Sequence, residues 1–358
     1  MPKFILNNQL VDTKDLSLSS TVLDFVRYQK HLYGTKTGCR EGDCGACTVL
    51  VGDFEQGQLR YRSMTSCLMP LGNAHGKHIL TVEGINFQEG LSPAQKAMQE
   101  THGSQCGFCT IGFVMSLTGF VLDNKAKTYE EAIACIDGNI CRCTGYKPIE
   151  RAAALLCQQV QSKPETDTLA WLVEHKFVPE YLQNIPERLQ QLQQSLKDAQ
   201  NNLPETGRIL GGGTDILVQI PEAIKKQPTQ YFYDRAHLSG ICVEGNTCIL
   251  GAATTAIEFL ESEIIRSIFP NLPKYMRWVS STPIRNMATM AGNIINASPI
   301  GDMTVFFLGL NASVVLESAQ ARREVALKDL YKGYKQLDKT ADEHIAEIRF
   351  EIPTNRQY

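Results

Sequence analysis

Apolar and polar positions fall in short runs at the start of the chain and in helical periods further on. KFILNNQLV, residues 3–11, reads as a strand, a turn and a strand. SSTVLDFVRYQKHL, 19–32, reads as an amphipathic helix with Val22, Leu23, Phe25, Val26 and Leu32 as its apolar positions. TVLV, LRYRS and HILTVEGI read as further strands. Four helices are expected next. The first starts at Pro93 behind a Ser92 cap and runs to about His102, before Gly103. The second is IGFVMSLTGFVL. The third opens at TYEE, where Thr128 and Glu131 form a capping box. The fourth begins near Pro148 and runs through RAAALLCQQV. Polar, proline-containing SKPETDT reads as a linker. IPERLQQLQQSLKDA reads as a helix, RILGGGTDILVQI as a strand and glycine loop, and ICVEGNTCIL as a hairpin across Gly245-Asn246 that leads into GAATTAIEFL.

With 358 residues and 43% apolar content, the chain has material for two or three domains with buried cores. A net charge of −3 from 35 basic and 38 acidic residues argues against a nucleic-acid partner. MPKFILNNQL has no basic region followed by a long apolar run. No stretch approaches the roughly 18 apolar residues of a membrane helix. The expectation is a cytoplasmic protein with no membrane contact. Twelve cysteines then do not form a disulfide framework, because the cytosol keeps thiols reduced. Nine of them precede residue 145. Cys135, Cys157, Cys242 and Cys248 are expected to be small buried hydrophobes.

Cys39, Cys44, Cys47 and Cys67 read C-x4-C-x2-C and then a fourth cysteine. Structural zinc favours paired C-x2-C knuckles, whereas this spacing is that of plant-type [2Fe–2S] sites. Zinc and inert thiols are the alternatives. Gly38, Gly42 and Gly45 permit close backbone approach and positive φ, and their N–H groups can then point at sulfur. Arg40 is expected to offset the cluster's negative charge. A small sheet crossed by one helix, with this loop beside it, resembles the β-grasp ferredoxin fold over residues 1–85.

SQCGFCTIGF and GNICRCTGY carry Cys106, Cys109, Cys141 and Cys143 as C-x2-C and C-x-C. In an up-down-up-down bundle, the loops between helices one and two and between three and four fall at the same end. The four thiols therefore converge on one site.

The order of these motifs resembles the molybdenum hydroxylases, the family of xanthine dehydrogenase and aldehyde oxidase, over residues 1–160. That resemblance implies that the second quartet also holds [2Fe–2S]. It places Gln105 and Cys143 near the molybdopterin of a partner domain. LGGGTD and TPIRNMATMAGNIINASPIGDM resemble the flavin domain of the same family, which has the vanillyl-alcohol oxidase fold. Carried over by motif, Ile209, Leu210, Gly211, Gly212, Gly213, Thr214, Asp215 and Ile216 match the loop on the FAD diphosphate. Thr289, Gly292 and Asn293 match a second flavin loop, and Asp302 a polar FAD contact. Where the family has two glycines before the asparagine, the first is Ala291 here.

The expected architecture is α+β and multidomain. It comprises a β-grasp [2Fe–2S] domain at 1–85, a four-helix [2Fe–2S] domain at 86–161, a linker at 162–178 and an FAD-binding domain at 179–358. The family pattern continues beyond IAEIRFEIP, so the last domain is expected to lack its C-terminal subdomain, supplied by a separate polypeptide or missing from a fragment. By resemblance the chain is the electron-transfer subunit of a xanthine dehydrogenase-like enzyme. Electrons pass from molybdopterin on a large partner subunit through both clusters to FAD and then NAD, as hypoxanthine and xanthine become urate. No catalytic residue for the hydroxylation is expected on this chain, and a hetero-oligomer is implied. A small subunit of an aldehyde or N-heterocycle hydroxylase, and a stand-alone ferredoxin–flavoprotein carrier, are the alternatives.

Overall fold

The computed structural model describes residues 2–13, 16–197, 207–231 and 236–354. It divides into two compact units. The first comprises Met1–Leu203 with Ile220–Lys226 and Thr282–Ile284; the second comprises Pro204–Gln219, Gln227–Ser281 and Arg285–Tyr358.

The first unit begins with strands β1 (Lys3–Leu6) and β2 (Gln9–Asp12), an antiparallel hairpin. Strands β3 (Thr48–Glu55), β4 (Gln58–Thr65) and β5 (His78–Leu80) complete a sheet of order β2-β1-β5-β3-β4. β1 and β5 run parallel. Helix α1 (Val22–Asp24) continues into a π-helical turn, Phe25–Gln29, and buries Val22, Leu23, Phe25 and Val26. Phe25 meets Phe4 of β1 edge to face at 5.5 Å. This is the expected β-grasp arrangement.

Helices α2 (Pro93–Glu100), α3 (Thr110–Leu122), α4 (Tyr129–Cys135) and α5 (Lys147–Gln159) follow. Capping boxes start α2 at Ser92 and α4 at Thr128. Helix α3 is apolar nearly all round and lies at the centre of the bundle core.

The expected linker at 162–178 is not one. Thr168–Glu174 forms helix α6, and Leu172, Phe177 and Val178 join the bundle core. Lys163 is 1% exposed, and its ammonium donates to the carbonyls of Val121 (3.0 Å) and Ala126 (3.1 Å). That cation satisfies carbonyls at and just beyond the end of α3, which have no partner within the helix. Burial pushes the Lys163 pKa down to about 8. The helix expected from Ile185 is α7 (Ile185–Lys197), and its core also belongs to the first unit. Ile185, Leu189, Leu192 and Leu196 form a stripe along one face, and they pack into the bundle core. The polar composition around 162–168 concealed this. The last two residues of that expected helix, 198–199, lie outside the described residues.

The second unit pairs β6 (Arg208–Leu210) with β7 (Thr229–Tyr231) in parallel. Its main sheet contains β8 (Ile241–Glu244), β9 (Thr247–Gly251), β10 (Ser313–Glu317) and β11 (Arg322–Ala326). A small hairpin, β12 (Tyr331–Gly333) with β13 (Gln336–Leu337), precedes β14 (His344–Glu351). The main sheet has order β11-β10-β14-β9-β8. The expected hairpin turns at Gly245, where φ is +59°. Cys248 and Cys157 are buried as expected, and Cys135 is half-buried. Cys242 is exposed, because β8 is the edge strand and most of it faces out. Among the described residues, no helix is long and apolar enough to cross a membrane.

One buried polar group gives the first unit a pH dependence. His78 on β5 is fully buried. Its Nε2 faces the Asn7 carbonyl at 2.9 Å and its Nδ1 the Tyr61 hydroxyl at 2.7 Å. A carbonyl only accepts, so Nε2 carries the proton and Nδ1 accepts from tyrosine. Burial lowers the His78 pKa from 6.5 to about 4. Between those values the unfolded chain binds the proton and the folded one does not, so stability falls as pH falls from 6.5 to 4. At about 1.4 kcal/mol per tenfold, the loss reaches about 3 kcal/mol. Denaturant titrations of the first unit across this range should show it. His78→Gln should flatten the slope; an unchanged slope would assign it to other groups.

Candidate functional site

The first quartet lies on the loop before β3 and on the turn after β4. Gly38 must be glycine, since a Cβ there would lie 2.6 Å from Cys44 Sγ. Gly42 and Gly45 have φ of +83° and +67°. Backbone N–H groups of the same loop donate to sulfur. Cys39 N donates to Cys44 Sγ at 3.4 Å and Glu41 N to Cys39 Sγ at 3.3 Å. Cys47 and Cys67 are 2% and 4% exposed. The hydrogen bond from Cys67 draws the Cys47 pKa down to about 7, and the same bond, with burial, raises that of Cys67. The sulfurs thus come as two pairs, Cys39 with Cys44 and Cys47 with Cys67. Two irons that each take two thiolates fit that pairing. Arg40 does not stand as a free counter-charge; it donates to Asp24 Oδ1 at 2.7 Å.

The second quartet forms as the bundle argument requires, in the α2–α3 and α4–α5 loops. Cys143 Sγ lies 3.6 Å from Cys106 Sγ, and Cys109 interacts with Cys141. Burial, then Cys141, pushes the Cys109 thiol up to about 12. Cys141 is also raised by burial, but the Thr144 hydroxyl (3.2 Å) and N–H (3.4 Å) outweigh this and hold it below the ordinary value. These sulfurs are again in pairs and hydrogen-bonded, so a binuclear thiolate cluster fits. Cys106 and Cys143 are exposed, as are Gln105, Phe108 and Ile140.

The two cysteine loops are joined. Ile140 N, beside Cys141, donates to the Cys44 carbonyl at 3.0 Å. Asn139 Nδ2 donates to the Gly45 carbonyl at 3.2 Å, and Asn139 Oδ1 accepts from Ser116 Oγ at 2.7 Å. A Cβ on Gly45 would lie 2.2 Å from the Gly138 carbonyl. Sequence reasoning missed Asn139. Its one signal was an amide between a glycine and an isoleucine just before a cysteine, in GNIC.

In the second unit the two expected flavin loops meet. A Cβ on Gly212 would lie 1.8 Å from the Met287 carbonyl, and one on Gly211 would lie 2.7 Å from Thr289 Oγ1. These two glycines are therefore required by loop-to-loop packing, and Gly213 by its φ of +87°. Leu210 is buried while Ile209, Thr214 and Ile216 are half-buried, and Ile216 starts helix α8 (Ile216–Gln219). Thr289 caps helix α9 (Met290–Asn296) by accepting from Gly292 N at 3.1 Å. Asn293 Oδ1 accepts from Thr304 N at 3.1 Å, on helix α10 (Asp302–Gly309). Asp302 is exposed at the start of α10. Asp215 accepts from Asn296 Nδ2 at 2.7 Å, and burial raises its pKa. Loops 209–216, 287–293 and 301–304 are thus contiguous, and a cradle of glycine backbone fits a diphosphate-bearing flavin.

Two joined thiolate quartets on a chain with a separate glycine-loop unit make an electron-transfer protein that uses iron–sulfur and nucleotide cofactors. Comparison with known proteins agrees. Residues 11–72 match the 2Fe-2S iron-sulfur cluster binding domain and 81–154 the [2Fe-2S] binding domain. Residues 181–354 match the FAD binding domain in molybdopterin dehydrogenase. A xanthine dehydrogenase of Emericella nidulans is 30% identical over 415 residues, covering 98% of this chain and 30% of that protein. A xanthine dehydrogenase/oxidase of Rattus norvegicus is 29% identical over 411 residues, covering 99% of this chain and 30% of that protein. A xanthine dehydrogenase of Blastobotrys adeninivorans is 52% identical over 136 residues, 37% of this chain and 10% of that one. This chain belongs to the molybdenum hydroxylase family and carries its iron–sulfur and FAD domains. It spans about 30% of the length of the first two relatives.

Proposed function

We propose that this chain is the electron-transfer part of a xanthine dehydrogenase-like molybdenum hydroxylase. In this reading Cys39, Cys44, Cys47 and Cys67 hold one [2Fe–2S] cluster, and Cys106, Cys109, Cys141 and Cys143 the other. Residues 209–216 with Thr289, Gly292, Asn293 and Asp302 hold FAD. The cluster domains are 1–85 and 86–161, the second extended by α6 and α7, which pack into its core, and the FAD domain follows α7. A molybdopterin-bearing partner oxidises hypoxanthine and xanthine to urate in the cytoplasm. Electrons then leave by the second quartet, the first quartet, FAD and NAD. The cofactors supply the redox chemistry, while the protein positions, insulates and tunes them.

The observation that carries this reading is the bond from Ile140 N to the Cys44 carbonyl. It places the two thiolate loops in direct backbone contact, so a path between the sites crosses one hydrogen bond. The exposed edge at Gln105, Cys106 and Cys143 suits a partner that delivers electrons, while the buried Cys47 and Cys67 suit an internal relay. The test is affinity capture of the tagged chain from its native cells, followed by metal analysis and substrate-dependent bleaching of the iron–sulfur absorbance. A co-purifying molybdenum subunit and bleaching by xanthine are expected. Bleaching by an aldehyde or N-heterocycle instead would move the reading to those hydroxylases. Capture without molybdenum would favour a stand-alone carrier.

A further inference from the structure

Arg40 has a backbone conformation that its side-chain type disfavours. Its φ is +59°, in the left-handed region, although it is not glycine. This turn directs the next N–H, that of Glu41, onto Cys39 Sγ at 3.3 Å. An L-residue in this conformation persists only when its surroundings hold it there. The visible restraint is the Asp24 carboxylate, which accepts from Arg40 Nη2 at 2.7 Å. The Tyr28 hydroxyl also approaches the Arg40 guanidinium, and Lys225 Nζ lies 3.8 Å from the other Asp24 oxygen.

Asp24 is itself well fixed. Its N–H is capped by Thr21 Oγ1 at 3.1 Å, in a helix whose first N–H groups are already engaged. Val22 N donates to Met69 O at 2.9 Å and Leu23 N to Ser66 O at 3.0 Å. Those acceptors flank Cys67. One short helix therefore grips both arms of the first quartet: the Cys67 arm by backbone, the Cys39 arm by the side chain of Asp24.

We propose that Asp24 is a positioning residue for the first cluster: its pairing with Arg40 locks the left-handed turn that aims the Glu41 N–H at Cys39 Sγ. This rests on the first quartet holding a [2Fe–2S] cluster. A donor aimed at a ligand sulfur stabilises the more negative, reduced cluster and so raises its potential.

The sign of the effect separates this role from a simple charge effect. In Asp24→Asn the turn relaxes, the donor leaves the sulfur, and the midpoint potential of the first cluster falls. Loss of a nearby negative charge alone would raise it. Two double variants remove both charges and differ only in the backbone preference at 40. Asp24→Asn with Arg40→Gly keeps the left-handed turn accessible; Asp24→Asn with Arg40→Ala does not.

The experiment is EPR-monitored redox titration of the loaded chain, with iron counted first and the second cluster as internal reference. The expected result is a lowered midpoint of the first cluster in Asp24→Asn and in the alanine double variant, recovery in the glycine double variant, and a constant second cluster. Selective loss of the first cluster in the same two variants, with recovery in the glycine variant, supports the same conclusion. A raised or unchanged midpoint in Asp24→Asn, or equal behaviour of the two double variants, would overturn it. A wild-type chain without iron would instead overturn the cluster reading beneath it.

Discussion

Cys47→Ser is expected to remove one of two EPR signals of the reduced protein and leave the other, and Cys109→Ser is expected to do the reverse. Cys47 is paired with Cys67, and Cys109 with Cys141. Each substitution thus withdraws one of the two thiolates assigned to one iron. Serine is a poorer ligand for iron at neutral pH, because its hydroxyl does not ionise readily. The two quartets have different surroundings, so their signals should differ: the first is largely enclosed, whereas Cys106 and Cys143 of the second face solvent. Loss of the same signal in both variants would show that the eight cysteines do not form two sites.

Gly212→Val is expected to abolish FAD retention and to destabilise the second unit by about 1–3 kcal/mol, the usual cost of overpacking. The added Cβ would lie 1.8 Å from the Met287 carbonyl oxygen. A backbone carbonyl cannot rotate aside as a flexible side chain can, so loops 209–216 and 287–293 must separate. Gly309→Ala is the matched control in the same unit, since a Cβ there meets nothing within 4 Å. The FAD-to-protein ratio after gel filtration, with thermal unfolding of both variants, makes the comparison. Full FAD retention by Gly212→Val would show that the two loops do not form the cradle.

Much of the first unit was legible because its signals are local. The strands around 3–11 and 48–65, the Ser92 and Thr128 caps and the cysteine spacings all depend on near neighbours in sequence. The α2–α5 helix pattern was enough to bring Cys106 and Cys141 to the same end of the bundle. What stayed hidden depends on distant partners. Lys163 reads as a solvated linker residue until the carbonyls of Val121 and Ala126 are brought to it. The α7 leucine stripe is visible in sequence, but nothing local says which core it will join. Arg40 reads as a charge for the cluster, and only the fold supplies Asp24 as its partner. The glycines of 211–213 suggested space for a diphosphate. Two of the three prove to be fixed first by contact with Met287 and Thr289.

The most direct measurement is the content of iron, acid-labile sulfide and FAD in the purified, anaerobically handled chain. Two [2Fe–2S] clusters and one flavin predict about four irons, four sulfides and one FAD per chain. Zinc in place of iron, with no acid-labile sulfide, would contradict the assignment of both cysteine quartets.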